Sequence, residues 1–136
     1  MKIKRNSLSK EERISSKIEI DRLFTEGNSF IIYPLRVIYF EKVSLEKRKA
    51  NVSIMASVPK RKFKRAVKRN RLKRLIKESY RLNKFAFIAK ITSQSKHISL
   101  AFLYLPHEEK KFPEIEMAMK QALRTLSSKI LTQKSL

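Results

Sequence analysis

The chain has no cysteine, one glycine, one aspartate and two histidines in 136 residues. Without cysteine there are no disulfides and no thiolate metal ligands. One glycine and four prolines leave no room for low complexity or flexible linkers, and there is no internal repeat. No apolar run approaches the roughly 18 residues of a spanning helix. The basic start Met1-Lys2-Ile3-Lys4-Arg5 is not followed by the apolar core of a signal peptide. Together these absences predict a cytoplasmic protein. Carboxylates are also poorly placed for chemistry. Magnesium sites that cut phosphodiesters gather several carboxylates at one cleft, whereas Asp21 is the lone aspartate and the glutamates are scattered. His97 and His107 flank one predicted strand of about eight residues, which at about 3.3 Å per residue sets them roughly 25–30 Å apart. That separation makes a two-histidine acid–base pair a poor reading and ordinary surface positions the better one. No catalytic residue and no metal ligand are expected in this chain.

What is present is positive charge. Lys and Arg number 33 against 12 acidic residues, a formal net charge of +21 and a pI near 10.6. A domain this basic repels itself at low salt and is best explained by a nucleic-acid partner; an anionic membrane surface is the competing partner. With 42% apolar residues the length suits a single domain over 1–136 with a modest core.

In chain order, residues 1–8 read as an irregular basic arm, and Ser9-Lys10-Glu11-Glu12 has the form of a capping box. Ile20, Leu23 and Phe24 give a helix over about 16–26, which Gly27 is expected to end in the left-handed conformation. Phe30-Ile31-Ile32-Tyr33 is a short β-prone run broken by Pro34. Residues 35–42 are a strand whose two faces carry Leu35, Val37 and Tyr39, and Arg36, Ile38 and Phe40. After a polar turn at 44–49, residues 50–58 alternate as a half-buried strand, and these two strands are expected to pair as an antiparallel hairpin. Residues 84–97 are ambiguous between a helix extension, a separate helix and a loop flap. Residues 98–105 are a strand apolar on both faces, hence central. Pro113 suits the first turn of a last helix with the core stripe Ile115, Met119, Ala122, Leu126 and Ile130, and 132–136 read as a frayed tail. The sum is an α+β fold of α-β-β-β-α-β-α order: a small mixed sheet of about four strands with helices packed on one face. By the general rule, its strand–helix–strand step would be right-handed.

The stretch from Val58 to Arg81 organises the rest. Ten of the fifteen residues from Lys60 to Arg74 are Lys or Arg and none is acidic. Charge of one sign at that density usually marks a disordered tail, but the apolar residues argue for a helix. Pro59 stops the preceding strand, residues 60–64 form a basic loop, and the helix begins between Phe63 and Ala66 and ends near Leu82-Asn83. At about 100° per residue, Val67, Leu72, Leu75, Ile76, Ser79 and Leu82 share one side, and Asn70, Lys73, Arg74, Lys77 and Arg81 the other. Lys64, Arg65, Lys68 and Arg69 in the first turn oppose the helix dipole, at a cost of roughly 1 kcal/mol or less each. Cations kept there against that cost point to binding, where the plainer reading is a solvated basic face. Glu78, at helical spacing from Arg74 and Arg81, reads as an intrahelical ion-pair partner. Phe24, Phe30, Tyr33, Tyr39, Phe40 and Tyr104 are candidates for stacking on bases, although core packing is the commoner role of any one of them.

Ala66-Val67-x-Arg69-Asn70-Arg71-x-Lys73-Arg74-Leu75-Ile76-Lys77-Glu78-x-x-Arg81 closely resembles the signature helix of the bacterial ribonuclease P protein component. Length and element order fit that family over roughly residues 1–130. The resemblance implies a fold like the second domain of ribosomal protein S5, with a left-handed βαβ crossover in place of the right-handed one. It implies an accessory subunit of an endoribonuclease, in which the RNA subunit carries out magnesium-dependent removal of the 5′ leader of precursor tRNA. Mg2+ would act with the RNA and not on protein side chains alone. Arg69, Asn70, Lys73, Arg74 and Lys77 would face ribonuclease P RNA, with Lys60, Arg61, Lys62, Arg65, Lys68, Arg71 and Arg81 extending that surface. A cleft between the first helix and the sheet would hold the leader, with Phe24 matching a family aromatic, Tyr39 taken as its partner on the sheet, and Ile20 standing where many relatives carry Phe. The protein would be monomeric, one copy per RNA, and would not bind membranes. A basic ribosomal or ribosome-assembly protein is the alternative; an antimicrobial or membrane-surface helix fits less well, because here strands must cover the apolar face.

Overall fold

The computed structural model describes residues 12–14, 16–42, 51–94 and 96–134. The expected basic arm at 1–8, most of the capping box and the polar turn at 44–49 lie outside them. The elements are α1 (Lys17–Glu26), β1 (Asn28–Ile32), β2 (Leu35–Lys42), β3 (Val52–Ser57), α2 (Ala66–Ser93), β4 (His97–Tyr104) and α3 (Phe112–Lys134). This is the expected order of three helices and a four-stranded mixed sheet.

Strand pairing departs from expectation. The sheet order is β1-β2-β4-β3, so the hairpin of β2 with β3 does not form. Instead β4 lies between them, antiparallel to β2 (Leu35 opposite Tyr104) and parallel to β3 (Val52 opposite Ile98). The physical reason is burial. Ile98, Leu100 and Phe102 face one layer and Ala101 the other, all buried, and only a central strand can cover both faces of such a sequence. The outer edge of β3 is partly covered by the chain before α1: Arg13 bridges to Ile54, and Ile14 N–H donates to Ile54 O at 2.9 Å.

The helices occupy both faces, not one. Alternate strand residues Leu35, Val37, Tyr39, Ile54, Leu100 and Phe102 join Leu72, Ile76 and Tyr80 of α2 and Met119, Leu126 and Ile130 of α3 in the main core. The other set, Ile38 and Ala101, packs with Ile14 and with Leu23 of α1, flanked by Ile20, Phe40, Met55 and Leu103. In α3 the whole expected stripe is buried, and the helix continues to Lys134, through part of the expected frayed tail.

The C-terminal ends of α1 and α2 correct the sequence reading, while the start of α1 agrees with it. Ser16 caps α1, its Oγ accepting Glu19 N–H at 3.3 Å. At the other end Gly27 is extended, φ −76° and ψ 159°, and not left-handed. Glycine is needed there for space: a Cβ would lie 2.4 Å from Leu23 O and 2.9 Å from both Ile38 Cγ2 and Tyr39 O. The ambiguous stretch 84–97 mostly extends α2, because Phe87 and Ile91 prolong the stripe of Ile76 and Tyr80 into the same core. That stripe is rotated from expectation, leaving Val67 (72% exposed) and Leu82 (43%) in solvent.

Candidate nucleic-acid interface

The basic loop before α2 is held by its own cations. Pro59 O accepts the N–H groups of Lys62 (3.1 Å) and Phe63 (3.3 Å), and the buried Phe63 ring packs against Tyr104 with centroids 5.8 Å apart. Lys62 Nζ donates to Leu105 O. Arg69 Nη1 donates to Phe63 O and Lys64 O, both at 2.8 Å. Lys62 and Arg69 are therefore half-buried struts that shape the loop, more than free solvent-facing contacts. Arg65 is the helix N-cap and makes no side-chain cap hydrogen bond. Around these residues lies a groove of about 400 Å³ lined by Arg61, Lys62, Phe63, Lys64, Arg65, Lys68 and His107. Lys60 stands exposed beside it. Spacing along the chain offers no reason to include His107, which arrives from the far end of β4.

The cationic stripe on α2 divides into two flanks. At about 100° per residue, Lys68 and Arg71 lean together toward the loop after β4. There Glu109 takes both, Lys68 Nζ at 3.3 Å and Arg71 Nη1 at 3.2 Å. Asn70, Lys73, Arg74 and Lys77 occupy the other flank, and among the described residues none of its three cations is paired with a carboxylate. Farther along, Glu78 pairs with Arg81 as the spacing predicts, Nε to Oε1 at 3.0 Å. The hydrogen bond from Arg81 holds the Glu78 carboxyl below its ordinary range.

The aromatic candidates separate by face. Ile20 and Phe24 belong to α1, and Phe24 is 43% exposed. Tyr39, their expected partner, projects to the opposite layer. It is buried in the main core with its ring centroid 6.0 Å from that of Phe30, and burial raises its phenol above the ordinary range. The sheet residues on the α1 side are Ile38 and Ala101, with Phe40, Met55 and Leu103 beside them and the Arg22 guanidinium 5.8 Å from the Phe40 ring centroid. Tyr104 is also a core residue: its hydroxyl donates to Glu108 O and accepts Lys110 N–H, each at 2.7 Å. Tyr33 alone of the tyrosines is well exposed, at 60%.

One buried ion pair escaped the sequence altogether. Lys84 Nζ lies 3.0 and 2.9 Å from the two carboxylate oxygens of Glu12, 72 residues away, with both side chains almost fully enclosed. It fastens the segment before α1 to the middle of α2. Among the described residues no three His, Asp or Glu side chains converge as metal ligands, and no helix is long and apolar enough to cross a membrane.

Comparison with known proteins agrees with this geometry. The sequence model of the family described as Ribonuclease P matches residues 8–127. A ribonuclease P protein component of Porphyromonas gingivalis is 40% identical over 123 residues, covering 90% of this chain and 88% of that protein. One from Chlorobium phaeobacteroides is 32% identical over 127 residues, covering 89% and 86%. Among solved structures, the RNase P protein of Thermotoga maritima superposes with a TM-score of 0.65 at 19% identity, covering 84% of this chain and 96% of that one. The Staphylococcus aureus RNase P protein gives 0.64, also at 19%, with 85% and 94% covered. At such identities the structures bear on the fold alone.

Proposed function

The chain belongs to the ribonuclease P protein family, and from that membership we propose how its two surfaces divide the work of tRNA 5′ processing. The protein is a subunit of an endoribonuclease complex and partners ribonuclease P RNA. In our reading the RNA cuts the leader from precursor tRNA and the protein supplies positioning and charge. The observation that carries this is the unpaired flank of α2: Lys73, Arg74 and Lys77 project cations with no carboxylate to neutralise them among the described residues. Phosphates of the RNA subunit are the counter-charge they suit, and the groove around Arg61 and Arg65 adds further cations on the side of Lys68. Binding there releases counterions and screens phosphate repulsion near the cleavage site.

The face carrying α1 is the reading for the leader. A single strand needs a ring or apolar surface for its bases and cations for its phosphates; Phe40, Phe24, Ile20 and Leu103 supply the first, with Arg22 beside them. Tyr39 is left out of that cleft. The chain has one aspartate and, among the described residues, no group of three side chains placed to hold a metal ion. In this reading Mg2+ acts with the RNA. One copy per RNA and a cytoplasmic setting belong to the same proposal.

Reconstitution tests it. The protein mixed with a bacterial ribonuclease P RNA should restore leader cleavage at low magnesium, where the RNA alone is weak, and the protein alone should release no leader. Multiple-turnover cleavage by RNA-free protein, checked for contaminating nuclease, would overturn the assignment of chemistry to the RNA.

A further inference from the structure

Beyond the stripe and the cleft there is a third surface of the right chemistry. Tyr33, Pro34, Lys110, Pro113, Glu114 and Met117 line a pocket of about 260 Å³ between the β1–β2 turn and the start of α3. Its walls include two of the most exposed large apolar side chains described, Tyr33 (60%) and Met117 (72%). Lys110 Nζ stands 5.6 Å from the Tyr33 ring centroid, fixed there by Glu108 at 2.8 Å. Glu114, the carboxylate in the pocket wall, accepts Lys111 N–H through Oε1 at 3.2 Å.

We propose that this pocket receives the base of one unpaired nucleotide of the RNA subunit, stacked on Tyr33. The inference rests on the ribonuclease P reading above. Three observations select the occupant. First, the pocket adjoins the cationic groove. Leu105 N–H donates to Pro34 O (3.0 Å) while Leu105 O accepts from Lys62, so one residue joins the wall of the pocket to the wall of the groove. His107 lines the groove and Lys110, three residues on, lines the pocket. Second, an aromatic ring with a cation beside it is what holds a base without reading its sequence. Third, the Glu114 carboxylate in the pocket wall repels a phosphate but tolerates a base, whose N–H groups donate. The pocket is built on the end of the sheet and on α3, away from the α1 face, so the RNA subunit is its source and not the leader.

The chain offers a direct reporter. It has no tryptophan and four tyrosines, of which Tyr39, Tyr80 and Tyr104 are buried, so mild nitration selects Tyr33. Ribonuclease P RNA alone should protect Tyr33 from nitration in the full-length protein. Tyr33→Ala should weaken binding to that RNA by roughly 5- to 100-fold, the worth of one base stack, and Tyr33→Phe should restore it. Met117→Ser serves as a second, milder variant of the same pocket. Undiminished nitration in the complex, or Tyr33→Ala binding as the parent does with an unchanged melting temperature, overturns the proposal. So does protection that appears only with precursor tRNA, which would assign the pocket to substrate. Protection that grows with protein concentration without RNA would assign it to a second copy and equally overturn it. Lys73→Ala with Arg74→Ala separates this from the broader reading. If that pair leaves RNA affinity unchanged, the α2 interface fails; if it weakens affinity while Tyr33 stays reactive, only the pocket fails.

Discussion

The two faces of the sheet are made by alternate residues of the same strands, yet one is sealed and the other half open. On the side of α2 and α3, Tyr39, Leu100, Phe102 and Tyr104 are enclosed by two long helices. On the other side a ten-residue helix and Ile14 before it bury Ile38 and Ala101 but leave Phe40, Met55 and Leu103 only partly buried. Neighbours in sequence thus occupy opposite environments. Tyr39 is structural, while Phe40, one residue on, borders solvent under Arg22. An aromatic in a strand is therefore assigned to stability or to ligand by how much helix lies over its face, and not by its own chemistry.

The sharpest way to break this comparison is Tyr39→Ala. If the face is sealed, the variant should lose roughly 3–5 kcal/mol of stability, as for other large aromatic truncations in cores. Affinity for precursor and for mature tRNA, measured in the holoenzyme, should then fall together or not at all. A stable variant that had lost only its preference for precursor tRNA would return Tyr39 to the cleft.

Gly27→Ala probes the hinge between the faces, where α1 turns into β1. The new methyl would meet the Leu23 carbonyl, Ile38 and the Tyr39 carbonyl, so a loss of about 1–3 kcal/mol in denaturant unfolding is expected from overpacking. Unchanged stability would show that α1 can move off the sheet freely.

Phe40→Ala should do the reverse of Tyr39→Ala. We expect a loss of about 1 kcal/mol in affinity for precursor tRNA, at the low end for a base stack because Arg22 already stands over the ring, with mature tRNA unaffected. A drop in melting temperature with intact discrimination between the two tRNAs would place Phe40 with the core instead.

The smallest expected effects distinguish the two flanks of α2. Lys73→Ala with Arg74→Ala should flatten the salt dependence of RNA-subunit binding by about 0.7–0.9 in log–log slope for each phosphate that is no longer neutralised, leaving the melting temperature unchanged. Lys68→Ala with Arg71→Ala should flatten it less, because Glu109 already holds both cations. Equal slopes for parent and both variants would mean that the stripe is merely solvated.

Much of the architecture was legible in the residues themselves. The alternation of 35–42, the double-sided apolar run of 98–105 and the stripe Ile115-Met119-Ala122-Leu126-Ile130 each identify an element, because period and burial are local properties. The density of Lys and Arg from Lys60 to Arg74 likewise marks the proposed interface without reference to the fold. Other features depend on partners remote in sequence. Strand order followed from which strand has two faces to bury, and the spacing between β2 and β3 carries no trace of β4 passing between them. Period two says that Tyr39 and Phe40 point apart, but only the placement of α1 against α2 and α3 says which points into the core. The same holds on α2, where the wheel sorts side chains into arcs and α3 decides that Ile76 and Tyr80, not Val67, face inward. The Glu12–Lys84 pair, the strut made by Arg69, the arrival of His107 beside Arg61 and the pocket at Tyr33 all join segments far apart in the chain. The elements, their order and the sign of the interface arise from near neighbours, so the residues alone were enough to set them. Which cations stay free and which rings stay open depends on what packs over them, and that was settled only in the folded chain.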